Sequence, residues 1–484
     1  MSEKISSILD SVNLQPHQQR IADEVEDGPV RKLLYWGLGS GKSLGSLAAA
    51  ENLGEPYTVI VPAALRENYK AEQQKFTDKA VPSQILSYSE LARGKEPIYP
   101  DSLVFDEAHR LRNQEGAASR KAKELANKAK QVVLLTGTPT TNRPGDMASL
   151  VSMMTGEPMD ADSFEKRYIK KQTVTPTFLQ KLMYGVTPGE ELVPIHKQEL
   201  KELLKGKVDY YSPEKPVVPV NREDHVVEMS PQQTRLYNAM WHRLPFVTRW
   251  KIAKDFPLSN EELMKMRNFL SGPRQVSLST MPFLKNKNPY TAFTQSPKLQ
   301  KAVELLKDKL KDERTKALVF SNFIDAGLTP YSAALEKEQI PHALFYGGLN
   351  DAQRKQLIDD YNNNKLRVAL IGPAGMEGLS FKGTQLIQKL DDHFHAVRPR
   401  QAEGRALRFD SHDNLPDDLK NVLVQRFVSR LPATYLSRLK ARLLGRQPDL
   451  VKATDDHLEM MSRRKEKLNE NFLQLLREVG SQGK

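Results

Sequence analysis

Three groups of residues in this chain have the types and spacing that phosphate transfer requires. The first is Tyr35-Trp-Gly-Leu-Gly-Ser-Gly-Lys-Ser43. Gly37, Gly39 and Gly41, with Ser40 between them, let a turn aim successive backbone N–H groups at an anion, and a following helix adds its N-terminal dipole. Lys42 would then reach the β- and γ-phosphates, and Ser43 would hold Mg2+. The general phosphate-loop pattern places a glycine six residues before the lysine, and here that position is Trp36. The second group is Ser102-Leu-Val-Phe-Asp-Glu-Ala-His109, an apolar run that ends in two adjacent carboxylates. Asp106 can bind Mg2+ directly or through water, while Glu107 positions and deprotonates an attacking water. His109 reads as a coupling group rather than a catalytic one. The third is Gln401-Ala-Glu-Gly-Arg-Ala-Leu-Arg408, whose spacings of four and three put Gln401, Arg405 and Arg408 on one helix face. Two guanidiniums there would stabilise charge on a γ-phosphate as its bond breaks; taken alone, the same pattern also describes a solvated arginine face.

Such groups work only if strands and helices deliver them to one crevice. KLLYW, YTVIVP, SLVFDE and QVVLLTGTP are short apolar or β-branched runs, each followed by a turn and a helical pattern, and the same grammar returns in KALVFSNF and LRVALIGPAG. Buried strands alternating with helices predict parallel sheets covered on both faces, here in two separate α/β domains. Carboxylates just past the end of a parallel strand sit where ligands bind in such sheets. Between the two groups, residues 156 to 228 are rich in proline, and residues 229 to 295 read as helices and a loop. From Thr454 to Gly480, Leu458, Met461, Leu468, Phe472, Leu475 and Leu476 recur at helical spacing and predict one amphipathic helix. The expected organisation is a first lobe over residues 1–168, an insertion over 169–295, a second lobe over 296–450 and a terminal helix over 451–484.

Composition narrows the function classes. With 484 residues, two or more domains are expected. The absence of cysteine removes disulfides, thiolate metal sites and cysteine nucleophiles together. No apolar run is long enough for a spanning helix and no export signal is visible, so a cytoplasmic protein without a membrane partner is expected. The formal net charge of +12 argues for a polyanionic partner, most simply nucleic acid. Residues 229 to 254 contain no acid, and Arg235, Arg243, Arg249, Lys251 and Lys254 alternate there with Tyr237, Trp241, Phe246 and Trp250. That mixture suits either a nucleic-acid groove or helices with an aromatic core and solvated cations. Residues 422 to 447 repeat the ambiguity with Arg426, Arg430, Arg438, Lys440, Arg442 and Arg446.

A phosphate loop and an Asp-Glu strand end about 65 residues apart resemble the superfamily-two helicases and translocases, whose DEAH-box motif the second run matches. In that superfamily the first position of the loop is not fixed as glycine, so Trp36 does not disturb the match. Other segments follow in order. Leu14-Gln-Pro-His-Gln18 resembles the adenine-reading motif, with Gln18 as the base contact. Val61-Pro-Ala-Ala-Leu65, with Pro62 and Asn68, and Ser87-Tyr-Ser-Glu-Leu91 resemble strand-binding motifs. Thr136-Gly-Thr-Pro139, with Thr136 and Thr138, resembles the motif that couples hydrolysis to strand movement. Ser321, and Ala374, Gly375 and Gly378 of Ala374-Gly-Met-Glu-Gly-Leu-Ser-Phe381, fall in the corresponding positions of the second lobe. Ser296-Pro-Lys298 and Tyr346-Gly-Gly348 are similar to Swi/Snf-type translocases, and GRALRFDSHDNLP is similar to the poxvirus-type nucleoside triphosphatase and early transcription factor helicases and related viral and phage proteins. The resemblance implies two tandem RecA-like domains that hydrolyse ATP with Mg2+ at their interface. It also implies DNA as partner, double-stranded in preference to single-stranded, with RNA polymerase or another protein as a further partner, and host cytoplasm as location for a viral or phage protein.

Overall fold

The computed structural model describes residues 12–481 apart from 38–39, 78–80, 114, 141–142, 213–217, 286, 374–380, 392–410, 413–414 and 445–446. The chain forms two compact units, the first made of Met1–Lys170, Leu192–Lys215 and Lys465–Lys484, the second of Lys171–Glu191 and Pro216–Arg464.

In the first unit β1 (Arg31–Trp36), β2 (Tyr57–Val61), β3 (Ser83–Ser87), β4 (Ser102–Phe105), β5 (Gln131–Thr136) and β8 (Val208–Tyr211) form one sheet in the order β3-β2-β4-β5-β1-β8. Every pairing is parallel. Helices cover both faces, so β2, β4 and β5 are buried along their whole length, which is why they read as continuous apolar runs. One core packs Leu33, Leu103, Phe105 and Leu134 against Met154, Phe164 and, from the terminal helix, Phe472 and Leu476. The other packs Leu34, Trp36, Val59 and Val104 against Ile21 and Leu47.

In the second unit β9 (Val220–Glu228), β10 (Ala317–Phe320), β11 (His342–Phe345), β12 (Val368–Ile371), β13 (Leu386–Lys389) and β14 (Val422–Arg430) pair in the order β11-β12-β10-β13-β14-β9, again all parallel. Helices between Pro231 and Leu278 form a satellite core of Leu244, Ile252, Met266 and Leu270 that takes in Leu458 from the terminal helix Thr454–Ser481. The remaining strands, β6 (Ile169–Val174) and β7 (Gly189–Pro194), make a separate two-stranded sheet joined through the helix Phe178–Tyr184.

The architecture is two parallel-sheet α/β domains with helices between them in the sequence and a C-terminal helix. Two strands of the proline-rich region escape detection in the sequence. Val208-Asp-Tyr-Tyr joins the first sheet beside the phosphate-loop strand, and β9 joins the second beside β14. Neither alternates or runs apolar for long, because each lies at a sheet edge.

Candidate active site

The phosphate loop leaves β1 at Trp36 and enters the helix Lys42–Asn52 through Gly41, which caps it in the left-handed conformation at φ 69°. The positive φ favours glycine there, and a Cβ would lie 2.4 Å from the Gln18 amide nitrogen, so that side chain would have to move. That nitrogen donates to the Gly41 carbonyl at 3.1 Å, and the Ser40 hydroxyl donates to the Gly37 carbonyl at 2.8 Å. Lys42 Nζ donates to the Trp36 and Gly37 carbonyls at 3.2 and 3.0 Å. Ser43 occupies the first turn of the helix and is half-buried. Gly39 lies outside the described residues.

Trp36 has a structural role of its own. Its ring rests on the first turn of that helix, where a Cβ at Gly45 would come within 2.3 Å of it. The buried indole N–H needs an acceptor and finds Asp209 Oδ1 at 2.7 Å, on β8. Arg20 grips the same carboxylate with two bonds of 2.8 and 2.9 Å.

The carboxylate pair follows β4. Asp106 is buried and accepts the Glu107 backbone N–H at 2.9 Å; Tyr88 donates its hydroxyl to the Asp106 carbonyl at 2.7 Å. Burial first, then the neighbouring Glu107 charge, push the Asp106 carboxyl up to about 7 against the opposing pull of Lys42. A buried carboxylate held so far above its usual range is suited to a nearby cation, and oxygen donors from Asp106 and Ser43 match what Mg2+ accepts while keeping several waters. Among the described residues no cluster of three or more His, Asp or Glu forms a closed metal cage. When bound, the ion supplies charge neutralisation to the phosphates.

Glu107 has φ 51°, a conformation that costs a non-glycine residue energy and recurs where a side chain must be aimed. Its Oε2 lies 3.2 Å from His109 Nδ1, and the same nitrogen lies 3.1 Å from Thr136 Oγ1 at the end of β5. Thr136 Oγ1 in turn accepts the Thr138 backbone N–H at 3.0 Å. His109 Nδ1 therefore lies within 3.2 Å of both Glu107 and Thr136, next to the Thr136-Gly-Thr segment.

The other expected residues are spread more widely. Pro62 is buried at the end of β2, and Asn68 is exposed on the helix Arg66–Phe76. Ser321 is fully buried and donates to Asp391 at 3.2 Å, so any part it plays runs through that bond rather than through contact with a polymer. Ala374, Gly375, Gly378, Gln401, Arg405 and Arg408 lie outside the described residues.

The two acid-free stretches resolve differently. In the first, Tyr237 is buried, Trp241 stacks on Tyr237 and His457, and Trp250 stacks on Tyr184. Lys251 is fully buried and bonds to Glu262 at 2.8 Å, so these groups build a core. In the second, Arg426 pairs with Asp224 and Glu459, and Arg430 pairs with Asp456. Arg438, Lys440 and Arg442, on the exposed helix Tyr435–Leu443, have no acidic partner among the described residues.

Residues 84–279 match the model of the SNF2-related domain, and residues 297–410 that of the helicase conserved C-terminal domain. The chain is 23% identical over 481 residues to a protein of Acanthamoeba polyphaga mimivirus named as an ATP-dependent RNA helicase, with 97% of each covered. It is 23% identical to an African swine fever virus protein named termination factor NPH-I homolog, covering 92% of this chain and 75% of that one. The SWI2/SNF2 ATPase core of Sulfolobus solfataricus, solved in complex with dsDNA, aligns over 98% of this chain and 97% of its own at 18% identity and a TM-score of 0.36. The matched SNF2-related and helicase domains, with relatives named as ATP-dependent helicases, support a helicase-type, ATP-hydrolysing enzyme. Within that class the chain carries an SNF2-related domain and a helicase conserved C-terminal domain, and the relatives it matches include viral proteins named as ATP-dependent helicases. Among the described residues no helix is long and apolar enough to cross a membrane.

Proposed function

We propose that this ATP-dependent motor is a DNA-stimulated ATPase that translocates on double-stranded DNA. The observation that carries the reading is the place of His109: its Nδ1 lies within 3.2 Å both of Glu107, the group expected to activate water, and of Thr136, in the segment expected to sense the strand. Lys42 holds the β- and γ-phosphates and Asp106 and Ser43 hold Mg2+, while Gln401, Arg405 and Arg408, outside the described residues, are the charge stabilisers that the resemblance implies. The charge of +12 and Arg438, Lys440 and Arg442, without an acidic partner among the described residues, supply phosphate contacts, and no sequence pattern identifies a base-reading element, so binding is dominated by backbone charge and salt. The African swine fever virus relative named as a termination factor supports a role beside a transcribing polymerase, in host cytoplasm if the chain is viral.

A second reading, strand separation, is favoured by one feature. The helix Phe178–Tyr184 carries Phe178, Leu179, Leu182 and Met183 exposed at 63% or more, an apolar surface of the kind that can wedge between base pairs. ATPase rates without polymer and with duplex DNA, single-stranded DNA or RNA, at two salt concentrations, test the proposal. Duplex should stimulate most, and less at high salt; stimulation by single strands alone, together with release of a strand from a forked duplex, would replace translocation by unwinding.

A further inference from the structure

The adenine-reading residue is already engaged. Gln18 donates to the carbonyls of Gly41 at 3.1 Å and Ser40 at 3.4 Å, and its own carbonyl accepts the Gln15 backbone N–H at 2.8 Å. Gln18 thus ties the phosphate loop to the helix Pro16–Glu26, and little of its hydrogen-bonding edge is left to hold a base. Holding a base against water calls for an apolar face, and β8 brings one to the loop.

Tyr211 ends β8 beside Trp36, and its carbonyl accepts the Gly37 N–H at 2.8 Å, the first amide of the phosphate loop. Its ring lies on His17 at a centroid distance of 3.5 Å and an angle of 8°. His17 is itself buried, meets the Trp36 ring edge-on at 4.6 Å, and donates through Nε2 to the Ser40 carbonyl at 2.8 Å. A carbonyl can only accept, so His17 Nε2 carries a proton, and His17 Nδ1 is buried without a partner among the described residues. Burial disfavours the charged ring, which keeps the stack neutral. Tyr211, by contrast, is only partly buried although His17 covers one of its faces. Two residues earlier on the same side of β8, Asp209 receives the Trp36 indole N–H and the Arg20 guanidinium, which fixes β8 against both β1 and the helix that carries His17.

We propose that Tyr211 is the stacking platform for the purine base of the nucleotide, backed by His17, with Asp209 as the positioning residue that holds the platform at the phosphate loop. The proposal rests on the ATP-site reading above and adds where the base lies and what selects it. A tyrosine face favours the large π-surface of a purine over a pyrimidine, so discrimination between nucleotides comes from stacking more than from hydrogen bonds.

The test is steady-state hydrolysis of ATP and of UTP by wild type, Tyr211→Phe, Tyr211→Leu, Tyr211→Ala and Asp209→Asn, with thermal melting as a check on folding. Tyr211→Phe should keep the wild-type KM for ATP. Tyr211→Leu and Tyr211→Ala should raise it roughly ten- to a hundredfold, the range of base–aromatic stacking, with kcat nearly unchanged. Their KM for UTP should move much less, so that preference for ATP falls. Asp209→Asn should raise the KM for ATP by a smaller factor. An unchanged KM for ATP, an equal rise for ATP and UTP, or a loss of kcat alone in the leucine variant would overturn the proposal and leave Tyr211 as loop packing. If Tyr211→Ala fails to melt cooperatively, the leucine variant, which keeps apolar contact with His17, decides. Wild-type protein that hydrolyses neither nucleotide would instead count against the ATPase reading itself.

Discussion

Asp106 in the first unit and Asp455 in the second are both buried aspartates, and they are treated in opposite ways. Asp106 receives a single backbone N–H among the described hydrogen bonds, sits beside a second carboxylate and is pushed up to about 7. Asp455 receives Lys298 Nζ at 2.7 Å, the Ser429 backbone N–H at 2.8 Å and the Ser277 hydroxyl at 3.4 Å, and Lys298 also donates to the Leu390 carbonyl. A buried charge given every partner it needs is a structural joint, whereas one left under-satisfied next to a like charge is poised for a ligand. The backbone agrees: Glu107 is held at positive φ beside Asp106, while Asp455 lies in the first turn of a regular helix. The lysine of Ser296-Pro-Lys298 therefore anchors the terminal helix to its sheet.

The contrast can be broken from the structural side. Lys298→Ala would leave Asp455 buried without its cation and should cost about 3–5 kcal/mol of stability, read as a fall in the urea midpoint followed by tryptophan fluorescence. A loss of about 1 kcal/mol or less would mean that the pair behaves like an exposed one. A smaller effect comes from His457, buried on the Trp241 ring and lowered to about 4, chiefly by burial. The folded state keeps this ring neutral while the unfolded chain protonates it below about 6.5, so stability is full above that value and is lost as pH falls toward 4. Between pH 7 and pH 5 the loss should be about 2 kcal/mol from this group, and a His457→Gln variant should show that much less pH dependence in urea melts. Equal pH dependence in both proteins would show that the imidazole stays accessible to solvent protons.

How far the sequence reveals these sites depends on whether their parts are contiguous. The expected phosphate loop and the Asp106-Glu107 pair stand out in the sequence because one turn and one strand end would carry the chemistry in adjacent positions. The Trp36 contact is not, because its acceptor Asp209 lies 173 residues further on, in a four-residue edge strand. A buried tryptophan signals that some acceptor exists without saying which. Likewise, residues 422 to 447 are free of acid in sequence but not in space, where Asp224, Glu459 and Asp456 neutralise Arg426 and Arg430. The alternation of strand and helix announced both sheets, while the edge strands β8 and β9 needed their neighbours to become strands at all.

The most direct test of the central claim is Glu107→Gln, which keeps the shape of the side chain and removes its ability to accept a proton. ATP binding, measured by titration calorimetry, should stay close to wild type, while turnover should fall by roughly 10²–10⁴-fold, the usual contribution of a positioned general base. A variant that hydrolyses ATP at the wild-type rate would contradict the assignment of Glu107, and with it the account of how this site works.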